Sequence, residues 1–131
     1  MVKKEIIKIE GVADIPSPLN HVVRAGNFLF LSSQLSADLK EHRLIEGDIR
    51  HQTQKAMENI KFLLEQAGSS LDNIVKTVIY MKRVKEDFEG MNEVYQQFFK
   101  KGYEPARVTI QASSPLEGID IEIEATAVIS T

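Results

Sequence analysis

Carboxylates recur at every second position near the end of the chain, at Asp120, Glu122 and Glu124. On a strand this spacing lines them along one face, where they could hold a hard cation. Such ions usually draw ligands from several elements, so a solvated acidic face is the plainer reading and no metal is expected. The histidines His21, His42 and His51 fall in a strand, a loop and a helix start, and no two share zinc-ligand spacing. Ser32-Ser33 lacks the flanking glycines of a nucleophile elbow. No glycine-rich phosphate loop is present. The chain has no cysteine, which excludes a thiol nucleophile and a disulfide framework. Arg107, judged alone, reads as a solvated or salt-bridged strand residue. Phe98 and Phe99, at helical spacing, read as core.

These groups need elements to hold them. Glu5–Ile9 alternates weakly and suits a first strand, and residues 14–18, with two prolines, form a loop. His21–Arg24 and Asn27–Ser33 read as a hairpin around Ala25-Gly26. Residues 36–47 look polar and irregular. From Asp48 to Ala67, Ile49, Thr53, Ala56, Met57, Ile60, Leu63 and Leu64 recur at helical spacing, with Asp48 as N-cap and Gly68 as terminator. Asn73–Lys82, rich in Val, Ile and Thr, is a strand. Asp87 is expected to cap a second helix bearing Phe88, Met91, Tyr95, Phe98 and Phe99, which Gly102 and Pro105 stop. Ala106–Gln111 and the cleanly alternating Ile119–Ile129 complete the order β-β-β-α-β-α-β-β. This is one α+β domain over 1–131, its two helices covering one face of a six-stranded sheet. The other face mixes apolar groups with carboxylates such as Glu122, which suits contact with another subunit.

Composition narrows the function. The 131 residues are 43% hydrophobic and 27% charged, as in ordinary globular domains. Net charge is −3 and the basic residues are scattered, so nucleic acid is not expected as a partner. No apolar run suits a signal peptide or a membrane span, and the chain reads as cytoplasmic.

Several segments together resemble one family. Arg24-Ala25-Gly26-Asn27-Phe28-Leu29-Phe30-Leu31-Ser32-Ser33-Gln34 is similar to a hairpin of the form x-A-G-x-x-[LV]-F-[VL]-S-G-Q. Gly47-Asp48-Ile49, Gln52-Thr53 and Glu58-Asn59-Ile60 follow its first-helix pattern. The connection Ala67-Gly68-Ser69-Ser70-Leu71-Asp72-Asn73-Ile74-Val75-Lys76-Thr77 matches almost throughout. Met91–Tyr95, Pro105-Ala106-Arg107 and Ile121-Glu122-Ile123-Glu124-Ala125 complete the series. The chain thereby resembles the YjgF/RidA family over nearly its whole length.

That resemblance implies a chorismate-mutase-like fold with a mixed sheet, assembled as a homotrimer with clefts between subunits. It also implies hydrolysis of reactive 2-imino acids to 2-keto acids and ammonia, without a cofactor. A guanidinium grips a carboxylate through two parallel hydrogen bonds, and Arg107 matches the family's carboxylate-binding arginine. Glu122 matches the acidic residue that positions the attacking water. Ser32, Ser33 and Thr109 fall at positions lining the family pocket, with Asn92 nearby. The pattern is also broken. Leu19 stands where a tyrosine contributes to the pocket, Ser33 where glycine is usual, and Thr109 where cysteine or serine is frequent. Three readings compete: an imine deaminase, a binding module sensing a keto acid or related carboxylate, and a nuclease or translation inhibitor. The acidic charge balance disfavours the last.

Overall fold

The computed structural model describes residues 1–130. Strands β1 (Lys4–Ile7), β2 (Val22–Ala25) and β3 (Phe28–Leu31) come first, then a small ribbon of β4 (Ala37–Asp38) and β5 (Arg43–Leu44). Helix α1 (Ile49–Gln66), β6 (Ile74–Met81), α2 (Val84–Tyr95), β7 (Ala106–Gln111) and β8 (Ile121–Val128) follow. The main sheet has the order β1-β2-β3-β8-β6-β7. Only the β6–β7 pair is parallel. The α+β architecture expected from the sequence, two helices on a mixed six-stranded sheet, is the one observed.

Alternation decides which face is which. On β8, Ile121, Ile123, Ala125 and Ala127 are buried, while Glu122, Glu124 and Thr126 turn the other way. On β3, Leu29 and Leu31 join the core while Phe28 and Phe30 stay 44% and 46% exposed. The buried set packs against Ala56, Met57, Ile60, Leu63 and Leu64 of α1 and Met91 and Tyr95 of α2. Truncating one of these fully buried leucines to alanine would cost about 2–5 kcal/mol. The opposite face carries no element of its own among the described residues. Its edge shows Val108 and Ile110, each 42% exposed.

Two local expectations change. Residues 36–47 are not irregular throughout, because Ala37 pairs with Leu44 and Asp38 with Arg43. The ribbon is closed at its base by Ser36, whose hydroxyl donates to the Ile45 carbonyl at 2.7 Å and whose carbonyl accepts from the Ile45 N–H. Two-residue strands are too short for periodicity to register. Asp87 is not the cap of α2. The helix starts three residues earlier, and the Val84 N–H donates to the Gln111 side-chain oxygen at 3.2 Å. Asp87 instead faces Arg83, which also reaches Asp120 at 3.1 Å. Asp48 does cap α1, accepting from the His51 N–H at 2.9 Å. Gly68 follows the helix at φ +90, a conformation a side chain would strain.

Candidate functional site

Two groups of polar residues stand out, on opposite faces of the sheet. The first is built on the helix-covered face at the β7 edge. Arg107 pairs in register with Thr77, a core-facing residue bonded to Tyr95 at 2.7 Å, so its side chain rises towards α2. There its Nη1 donates to the Asn92 side-chain oxygen at 2.7 Å. The guanidinium carbon lies 5.2 Å from the centre of the Tyr95 ring and 5.6 Å from that of Phe88. Phe88, Asn92 and Tyr95 are spaced four and three apart, which places them on one helix face. Among the described residues Arg107 makes no ion pair. A half-buried cation held by a neutral amide and two ring faces keeps donors free for an external anion. Two positions on, the Thr109 hydroxyl oxygen is buried with no hydrogen-bond partner among the described residues. Leaving such a group unpaired costs about 1–3 kcal/mol, an arrangement expected where a ligand completes the bonding.

The second group lies on the open face. A cleft of about 360 Å³ is lined by Ser32, Ser33, Tyr80, Ser114, Glu122 and Glu124, among others. The Ser33 hydroxyl donates to Glu122 Oε1 at 2.6 Å, and the Ser114 hydroxyl donates to Glu122 Oε2. Tyr80 donates to Glu124 at 2.5 Å, and this bond pushes its phenol above the ordinary value, so it stays a donor. Local backbone geometry explains how Ser33 reaches Glu122. β3 pairs with β8 through Phe30 and Thr126, but Gln34 then bridges to Ile123, so the register slips by one residue across Ser32-Ser33. A bulge of this kind re-aims side chains. Gln34 is only 2% exposed and fixes the bulge, its amide nitrogen reaching the Ser32 carbonyl at 3.2 Å and His21 Nδ1 at 3.1 Å.

The residues singled out in the sequence are thus only partly brought together. Arg107, Asn92 and Thr109 share one face, and Ser32, Ser33 and Glu122 share the other. The Ser32 hydroxyl turns away from Glu122 and donates to the Asn20 carbonyl at 2.6 Å. Leu19 lies in a neighbouring groove of about 450 Å³ with Lys8, Asn20 and His21. Ser114 and Tyr80 were missed. Neither belongs to a recognisable motif, and the contact of Ser114 depends on how the β7–β8 loop folds back.

A family model described as Endoribonuclease L-PSP matches residues 13–129. The chain belongs to this family, the YjgF/RidA family. A RutC family protein of Pyrococcus horikoshii is 41% identical over 124 residues, spanning 95% of this chain and 97% of its own length. A 2-iminobutanoate/2-iminopropanoate deaminase of Dermatophagoides farinae is 30% identical over 129 residues, 98% of this chain and 99% of its own. The Rid-family protein YyfA of Yersinia pestis superposes with a TM-score of 0.88 at 30% identity, over 97% of this chain and 100% of that one. This YjgF/RidA chain contains no helix, among the described residues, long and apolar enough to cross a membrane.

Proposed function

We propose that the protein hydrolyses small 2-imino acids to 2-keto acids and ammonia, at sites shared between neighbouring copies of a homotrimer. One observation carries this reading: Arg107, with no ion-pair partner among the described residues, stands over two aromatic rings beside the unpaired Thr109 hydroxyl. That is a receptor for a small carboxylate. Its family supplies the reaction, since a relative 30% identical is named a 2-iminobutanoate/2-iminopropanoate deaminase.

The chemistry divides between the two groups. Arg107 grips the substrate carboxylate through parallel N–H donors, leaving the adjacent C=N carbon open to attack. Water adds to that carbon as Glu122 takes its proton, and the C=N π electrons move to nitrogen. Glu122 hands that proton to the nitrogen, and the proton of the remaining hydroxyl follows through the same carboxylate as the C–N bond breaks, so both water protons leave on ammonia and the oxygen becomes the keto oxygen. A positioned carboxylate base contributes ~10²–10⁴-fold to such a step. Because one chain holds Arg107 and Glu122 on opposite sheet faces, the complete site needs the open face of one copy against the β7 edge of another. The exposed Phe28, Phe30, Val108 and Ile110 supply apolar surface for that contact.

The alternative is a binding module that holds a 2-keto acid without turnover. It is favoured by Leu19, which stands where the resembled pattern has a pocket tyrosine. The test follows imines released from amino acids by an oxidase, with and without the protein. Accelerated decay in wild type, reduced ~10²-fold or more by Glu122→Gln with KM little changed, fits the enzyme. Keto-acid binding without acceleration fits the sensor.

A further inference from the structure

We propose that Ser114 and Ser33 are positioning residues that clamp the Glu122 carboxylate from both sides, holding it in the one plane from which it can serve the water. This rests on Glu122 acting as the base. A carboxylate has about four lone-pair sites on its two oxygens. Ser33 occupies one on Oε1 and Ser114 one on Oε2, so each oxygen keeps a further site for a reactant.

Both hydroxyls are themselves fixed. Ser114 Oγ accepts the Leu116 N–H at 3.1 Å, which commits its own proton to Glu122. Ser33 sits in the bulge between the β3–β8 ladder and the double bond of Gln34 with Ile123, at 2.7 and 2.9 Å. The two arms come from separate elements, the end of β3 and the β7–β8 loop, so neither can drift without breaking a bond to the other's target. The neighbouring carboxylate does not compete for them, since Glu124 has its own donor in Tyr80. Ser33 replaces the glycine of the resembled hairpin, and Ser114 lies in a loop outside the matched motifs.

The chemistry gives the clamp a purpose. Glu122 must first accept a proton from water and then return one to the departing nitrogen, and both transfers need hydrogen-bond reach. A glutamate on an open sheet face would otherwise rotate about three side-chain bonds, and small misplacements of a reacting group cost large factors in rate.

Steady-state kinetics of Ser114→Ala, Ser33→Ala and Ser114→Thr, each in wild-type and Glu122→Gln backgrounds, test the clamp. Each alanine variant is expected to lower kcat about tenfold with KM nearly unchanged, and threonine should restore most of the loss. In the Glu122→Gln background the serine substitutions should do nothing further. Losses that add fully to that of Glu122→Gln, or that fall on KM alone, overturn the clamp. An unimpaired Glu122→Gln overturns the base assignment and the clamp with it. Crystal structures give a readout independent of turnover: Glu122 should hold one rotamer in wild type and several in a variant combining Ser33→Ala with Ser114→Ala. A single unchanged rotamer in that variant overturns the proposal.

Discussion

Arg107 and Glu122 project from opposite faces of the same sheet. Arg107 rises from edge strand β7 towards Asn92 on α2, and Glu122 points from the central β8 to Ser33 and Ser114. No side-chain rotation brings them together through a sheet whose middle is filled by Ile79, Ile121 and Ile123, all buried. The separation follows from alternation: residues of equal parity on β6, β7 and β8 are distributed by register, with Thr77 opposite Arg107 and Tyr80 opposite Glu122.

Carboxylate recognition should depend on Arg107 and on the group that orients it. Arg107→Ala should abolish measurable binding of a 2-keto acid in calorimetry, and Arg107→Lys should retain a fraction, because a point charge replaces a fork. Asn92→Ala should weaken binding roughly tenfold while leaving the guanidinium charge intact, about the worth of one charge-assisted hydrogen bond. Equal affinities for wild type and Asn92→Ala would show that the 2.7 Å contact orients nothing.

Much of this was legible in the sequence, for identifiable reasons. β8 announces itself through alternation, and α1 through its apolar stripe, its Asp48 cap and the glycine after it. Arg107 and Glu122 could be singled out only through family resemblance, since each alone resembles a surface residue. The helix start at Val84 was not legible, because its N–H finds Gln111, which lies 27 residues away in the chain. Nor was the Ser114 contact, which depends on a loop returning across the sheet. The placement of Arg107 and Glu122 on opposite faces was implicit in the parity of the strands, but it needs the β6–β7 register to be read.

The leucine at position 19 should shape specificity. It is 46% exposed beside the groove of Asn20 and His21 and offers no hydroxyl. Compared across imines from alanine, serine, leucine and methionine, Leu19→Tyr should shift relative rates towards the smaller and hydroxylated substrates by on the order of tenfold. Identical rankings for the two proteins would remove Leu19 from the pocket.

His21 should make stability depend on pH. Burial, with a lesser contribution from nearby His42, holds its pKa below the ordinary 6.5. The folded state therefore binds fewer protons than the unfolded chain as pH falls below that value, so stability is lost on acidification. Its neutral ring also accepts from Gln34, which fixes the bulge at Ser33. In urea titrations at pH about 7.5 and about 5.5, wild type should lose more stability than His21→Gln. Equal losses would mean that His21 titrates as it does in the unfolded chain.

Subunit mixing tests the shared site most directly. Arg107→Ala and Glu122→Gln are each expected to be inactive as pure proteins. Unfolded together in equal amounts and refolded, they should form mixed trimers in which about one site in four pairs an intact Arg107 with an intact Glu122 from its neighbour. Imine hydrolysis should then return to about a quarter of the wild-type rate. A mixture that stays as inactive as its parents, despite verified mixed trimers, would contradict a site divided between copies.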